Sequence, residues 1–182
     1  MSESTSVTPR WQPCEHLDPP PSPLQRDWLL EAGSLTRRLT LASSNRFSVE
    51  PLQEGWASLR DDECQALEVP AGSEGWVREV YLLGAGQRWI FARSVATRPA
   101  LEASGFALDQ LGKRSLGHLL FSDPAFARGA LELCRYPSAL LPADCRGTPQ
   151  PWARRSRFCR GSLSILVAEV FLPAFWIAGQ HG

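Results

Sequence analysis

Two spacings of apolar residues divide the chain. In SPLQRDWLLEAG, Leu24, Trp28 and Leu29 recur at helical spacing. Ser22 is placed to cap that helix, Pro23 suits its first position, Gln25 stands where a capping-box partner belongs, and Gly33 ends or bends it. Ser34 can cap a second short helix, LTRRLTLAS, in which Leu35 and Leu39 lie one turn apart. The period then changes. Residues 46–60, RFSVEPLQEGWASLR, have the character of an edge strand interrupted at Pro51 and bent at Gly55, and DDEC after them reads as polar loop. Trp76–Leu83 and Arg88–Val95 are rich in aromatic and branched residues, and the short link GAGQ predicts that they pair antiparallel as a hairpin.

Beyond Arg98 and Pro99 the pattern returns to helix and loop. Leu108, Leu111, Leu116, Leu119 and Leu120 predict short helices broken at Gly112, and Asp123–Pro124 is positioned to start another. Residues 137–152, PSALLPADCRGTPQPW, read as a long loop. SRFCR, Gly161-Ser162 and LSILVAEVF then predict a second hairpin, ended by Pro173. Helices, strands, helices, strands in that order predict an α+β domain on an antiparallel sheet rather than alternating βαβ units. The expected division is an irregular lead-in over 1–21, one domain over 22–176 and a tail over 177–182.

Composition narrows the class without naming a function. The 182 residues are 43% apolar and 21% charged, which is ordinary for a folded domain. The formal net charge is zero, whereas nucleic-acid binders draw much of their affinity from a positive excess, so no nucleic-acid partner is expected. Five cysteines and three histidines include no CxxC pair, and no metal site is expected. No basic, then apolar leader opens the chain, and no apolar run reaches the roughly 18 residues of a membrane span. A cytoplasmic protein without stable membrane association is the expectation. GAGQRW suits a hairpin turn better than a nucleotide loop, and His118 suits a core or surface position better than a catalytic one.

The informative residues are charges on apolar strand faces. Alternation sets Arg78 beside Trp76, Val80 and Leu82; Arg93 beside Trp89, Phe91 and Val95; and Glu169 beside Ile165, Val167 and Phe171. Such charges can pair inside a core, Glu169 with an arginine, or reach water from edge strands. They can also converge on an apolar anion, with arginines gripping carboxylate and the glutamate binding a hydroxyl or moving a proton. The basic run Arg154, Arg155, Arg157 and Arg160 reads as a solvated hairpin face or a second anion contact.

Four stretches, DWLLEAGSLTRRL (27–39), WVREVYLLGAGQRWIFARSV (76–95), LGKRSLGHLLF (111–121) and WARRSRFCRGSLSILVAEVFLPA (152–174), resemble the chorismate lyases, in the family's order. The resemblance implies conversion of chorismate into 4-hydroxybenzoate and pyruvate at the start of ubiquinone synthesis, with no metal or organic cofactor. It implies a single antiparallel β-sheet of about six strands, with helices and helical flaps enclosing an internal ligand cavity, in a monomer. By the same resemblance Arg78 binds the ring carboxylate, and Leu35 and Leu116 line the site from the flaps. Glu169 lies at the hydroxyl end and Arg93 fits the enolpyruvyl carboxylate, the two forming the catalytic pair. Leu35 departs from the methionine common in the family, a nearly volume-conserving change. The loop 137–151 looks longer than in some members. The alternative reading is a non-catalytic sensor of a small aromatic carboxylate.

Overall fold

The computed structural model describes residues 7–178. Its helices are α1 (Pro23–Leu29), α2 (Leu35–Ala42), α3 (Asp61–Leu67), α4 (Arg98–Ser104), α5 (Leu116–Ser122) and α6 (Pro173–Ala178). Its strands are β1 (Phe47–Ser58), β2 (Glu74–Gly84), β3 (Gln87–Thr97), β4 (Ala127–Arg128), β5 (Glu132–Arg135), β6 (Trp152–Arg160) and β7 (Leu163–Phe171). The strands form one antiparallel sheet in the order β1-β2-β3-β7-β6-β4, with β5 also paired to β6. The class is α+β as expected, with seven strands rather than six.

Apolar clusters cover both faces of the sheet. On one, Val80, Leu82, Ile90, Ala92 and Phe171 pack with Leu29, Leu35, Leu39 and Phe175 from α1, α2 and α6. Further along that face, Ile165 and Val167 pack with Leu101, Leu116 and Leu120 from α4 and α5. On the other face, Val77, Val95 and Leu166 meet Cys64 and Leu67 of α3. Beside them Tyr81, Phe91 and Val170 meet Tyr136, just after β5, and Leu141 from the long loop.

Local chemistry explains the ends. Ser22 Oγ accepts from Gln25 N while Gln25 Oε1 accepts from Ser22 N, closing the capping box. Ser34 and Ser115 cap α2 and α5 by accepting from Arg37 N and His118 N. Pro51 is tolerated because β1 is an edge strand, and its register against β2 shifts between Pro51 and Gln53.

Three local expectations are corrected. DDEC is not loop: it opens α3, where Asp61, Asp62 and Glu63 fill the first turn and complement the positive helix end. Asp123 does not start a helix; its side chain and carbonyl accept from Ala125 N and Phe126 N in a turn. Glu132–Arg135 is strand, because β6 offers it an edge. The lead-in is irregular but attached: Gln12 bridges to Leu133 and Cys14 lies in the core. Helix α6 reaches two residues into the expected tail, and 179–182 lie outside the described residues.

Candidate active site

Cross-strand partners share a face, so register decides which charges meet. Arg78 of β2 stands opposite Ser94 of β3, which stands opposite Val167 of β7. One step along the same face, Val80 stands opposite Ala92 and Ala92 opposite Glu169. Arg78 and Glu169 are therefore two strands and two residues apart, about 12 Å between Cα atoms from standard sheet spacings. Both side chains line one internal cavity of about 30 Å³. Its floor is Val80, Leu82, Ala92, Ser94 and Val167; its wall and roof are Val49, Thr36 and the segment Arg114–Gly117. That volume suits on the order of two water molecules, so an aromatic ring enters only if the roof moves.

The roof is made by two helix starts. Thr36, in the first turn of α2, and Ser115, the cap of α5, join their hydroxyls at 2.7 Å. Gly117 lies close beneath them: a Cβ there would stand 3.0 Å from Thr36 Oγ1, tight enough to make that hydroxyl shift. Leu116 lines the cavity directly. Leu35 lies one layer away, buried in the cluster that holds Val49, Val80, Leu82 and Ala92.

The two charged ends are held differently. Arg78 is 2% exposed. Its Nη1 donates to Glu54 on β1, and its Nη2 donates to the carbonyls of Gly112 and Arg114 at 2.9 and 3.0 Å. It thus ties the roof segment to the sheet. Burial pulls its pKa below the usual arginine value, and Glu54 opposes that fall. Glu169 accepts through Oε2 from Arg154 Nε at 2.6 Å. Among the described residues its Oε1 has no hydrogen-bond partner, which leaves an acceptor at the cavity's second end.

With its roof moved, an apolar slot with a guanidinium at one end and a carboxylate at the other would suit a flat molecule with an acid group and a hydroxyl. A model of the chorismate lyase family matches residues 6–180. The chain belongs to the chorismate lyase family. Relatives named "probable chorismate pyruvate-lyase" include one from Pseudomonas aeruginosa, 64% identical over 155 residues, covering 85% of this chain and 86% of its own. Another, from Pseudomonas syringae pv. tomato, is 59% identical over 172 residues, covering 94% and 92%. Among solved structures, the possible transcriptional regulator YydK of Bacillus subtilis aligns at TM-score 0.52 with 9% identity, over 71% of this chain and 60% of its own. The C-terminal domain of the histidine utilization repressor of Pseudomonas syringae pv. tomato gives 0.51 and 12%, over 71% and 93%. These two show a shared fold and nothing further.

One residue expected in this family's site stands elsewhere. Arg93 does not face the cavity; it lies on the opposite side of the sheet from Arg78 and Glu169. Near the turn the hairpin pairs Gly84 with Gln87 and Leu83 with Arg88, and that register, continued, would set Arg78 against Arg93. A bulge intervenes. Leu82 pairs with Ile90, Trp89 is the extra residue, and every later residue of β3 is shifted by one and turned to the other face. Arg93 is then opposite Glu79 and forks onto Glu63 of α3, Nε to Oε1 at 2.6 Å and Nη2 to Oε2 at 3.1 Å. Its Nη1 donates to Glu79 at 2.8 Å. Burial alone would lower its pKa, but the bonds and charges of Glu63 and Glu79 outweigh it and hold the guanidinium above its usual value.

Sequence reasoning gave Arg154 only as part of a basic run, a solvated face or a second anion contact, and missed Glu54. The first was countable: across the turn at Gly161-Ser162, Arg160 pairs with Leu163 and Arg154 therefore with Glu169. Arg154 and Arg155 are buried, so the reading of a solvated hairpin face fails for both. Glu54 reaches Arg78 only because β1 changes register beyond Pro51, which nothing in its local pattern announces.

Proposed function

We propose that this member of the chorismate lyase family converts chorismate into 4-hydroxybenzoate and pyruvate, the first committed step of ubiquinone synthesis. It would act as a monomer in the cytoplasm. The observation that carries the reading is the arrival of Arg78 and Glu169 at opposite ends of one buried apolar cavity. Arg78 takes the ring carboxylate, with Glu54 and the roof carbonyls yielding donors of its fork. Glu169 Oε1 accepts from the hydroxyl on C4. Leu116, Val80, Ala92 and Val167 contact the ring faces and exclude water. Leu35 supports that wall from behind.

The reaction breaks the C3–O bond of the enolpyruvyl ether and removes the proton on C4. The electron pair of that C–H bond completes the aromatic ring, the C4 hydroxyl is retained, and the released enolpyruvate gains a proton at its methylene to become pyruvate. Aromatisation drives the step. The protein's part is to hold the ring, the C4 hydroxyl and the leaving group in the reacting geometry in a site closed to water.

The test is to mix the purified chain with chorismate, adding no metal or cofactor, and to follow both products. Equal amounts of 4-hydroxybenzoate and pyruvate, formed faster than the uncatalysed background, are expected. Tight binding of 4-hydroxybenzoate without turnover would instead make the chain a sensor of small aromatic acids.

A further inference from the structure

Chorismate carries a second carboxylate, on the enolpyruvyl group at C3, and the register of β3 leaves Arg93 unable to reach it. We propose that Arg154 receives this carboxylate and is the residue that distinguishes substrate from product; the proposal rests on the reading of the cavity given above.

Three observations carry it. Arg154 is fully buried, yet its fork is incomplete: Nε serves Glu169, Nη1 donates to the carbonyl of Glu31 at 2.9 Å, and Nη2 is buried without a hydrogen-bond partner among the described residues. A buried charged donor left unpaired is costly and rare, and an arriving carboxylate is the acceptor that best satisfies it. Second, a further guanidinium crowds the same corner. Arg128 approaches the same corner, its Nε donating to Ser156 Oγ at 2.9 Å and its Nη1 to the carbonyls of Glu31 and Ala32 at 3.2 Å. Burial and then the neighbouring Arg154 push the Arg128 guanidinium down to about 10. Glu169 is the carboxylate ion-paired with Arg154, while Glu31, whose charge also reaches Arg128, is shared with Arg38, itself paired with Asp27 as well. An anion arriving here would meet two guanidiniums. Third, the position is right. Arg154 is the cross-strand partner of Glu169, so it stands at the C4 end of the ring, and the ether on C3 is adjacent to C4. Arg78 is at the far end.

The test compares two ligands that differ in the carboxymethoxy group at C3, which carries the second acid: 4-hydroxybenzoate and 3-(carboxymethoxy)-4-hydroxybenzoate, measured by calorimetry on wild type, Arg154→Met and Arg154→Lys. In Arg154→Met both ligands lose the support that Arg154 gives Glu169, and the affinity for the diacid should fall about tenfold or more beyond the fall seen for 4-hydroxybenzoate. The value of kcat/KM for chorismate should fall in step with diacid affinity. Arg154→Lys, which keeps the charge and loses the fork, should lie between wild type and Arg154→Met, and it supplies the same comparison if the methionine variant does not fold. Equal losses for both ligands would overturn the proposal and leave Arg154 a support for Glu169. No loss for either would also overturn it. A wild-type chain that binds neither compound and leaves chorismate intact would overturn the reading of the cavity as well, before any variant is made.

Discussion

Replacing Arg93 with methionine separates a binding role from a structural one. The side chain and its main partner Glu63 are 9% and 7% exposed, and its guanidinium makes three charge-assisted bonds, two to Glu63 and one to Glu79. Methionine fills much of the same volume, so the cavity term is small. What remains is the cost of leaving Glu63 buried without its counter-ion. Breaking a buried pair by removing one partner typically costs about 3–5 kcal/mol. At about 2–4 °C per kcal/mol for a chain of this size, the melting temperature should drop about 6–20 °C. The cavity lies on the other face of the sheet, so at a temperature where the variant is folded its affinity for 4-hydroxybenzoate should stay within about twofold of wild type. Thermal unfolding followed by circular dichroism and calorimetric titration read the two quantities. An unchanged melting temperature with a large loss of affinity would refute the reasoning, for it would place Arg93 at the ligand after all.

Arg78→Lys removes a fork that grips carboxylate with two bonds; 4-hydroxybenzoate affinity should fall about a hundredfold, and binding within twofold of wild type would displace Arg78 from the site. Thr36→Val breaks the 2.7 Å link between the roof helices. One hydrogen bond is worth about 0.5–1.5 kcal/mol, so release of 4-hydroxybenzoate in stopped flow should quicken about two- to tenfold, and unchanged or slower release would show that the roof does not part there. Asp62 has a pKa raised above 3.8, first by burial. The folded chain therefore keeps that proton at a pH where the unfolded chain has lost it, and this contribution to stability declines as pH rises through that range. The urea midpoint of Asp62→Asn, relative to wild type, should rise between pH 4 and pH 7; a relative fall would contradict the assignment.

The first two helices with their caps at Ser22 and Ser34, and both hairpins, were legible because each depends on neighbours within a few residues. So was the fold class, and so were the faces of Arg78 and Glu169 within their own strands. The pairing of Arg154 with Glu169 was legible too, since the turn at Gly161-Ser162 is tight and its ladder runs without a bulge. The other hairpin has the same kind of turn, and counting fails there. Trp89 is squeezed out of the ladder, its ring lies over Gly84, where a Cβ could not fit, and it packs edge-on against Phe175 with centroids 5.8 Å apart. Burying that indole in the core outweighs an unbroken ladder.

Alternation along the chain thus determined that charges would stand on apolar strand faces. Only the tertiary structure decided which of them meet. The bulge that turns Arg93 away needs the Phe175 contact, 86 residues beyond Trp89. Glu63 reaches Arg93 from a helix that the local acidic run disguised as loop. The roof closes where Thr36 meets Ser115, 79 residues apart. A two-residue period records the face a side chain takes within its own strand. The register between strands is fixed by the packing of distant side chains, and a shift of one residue exchanges the faces.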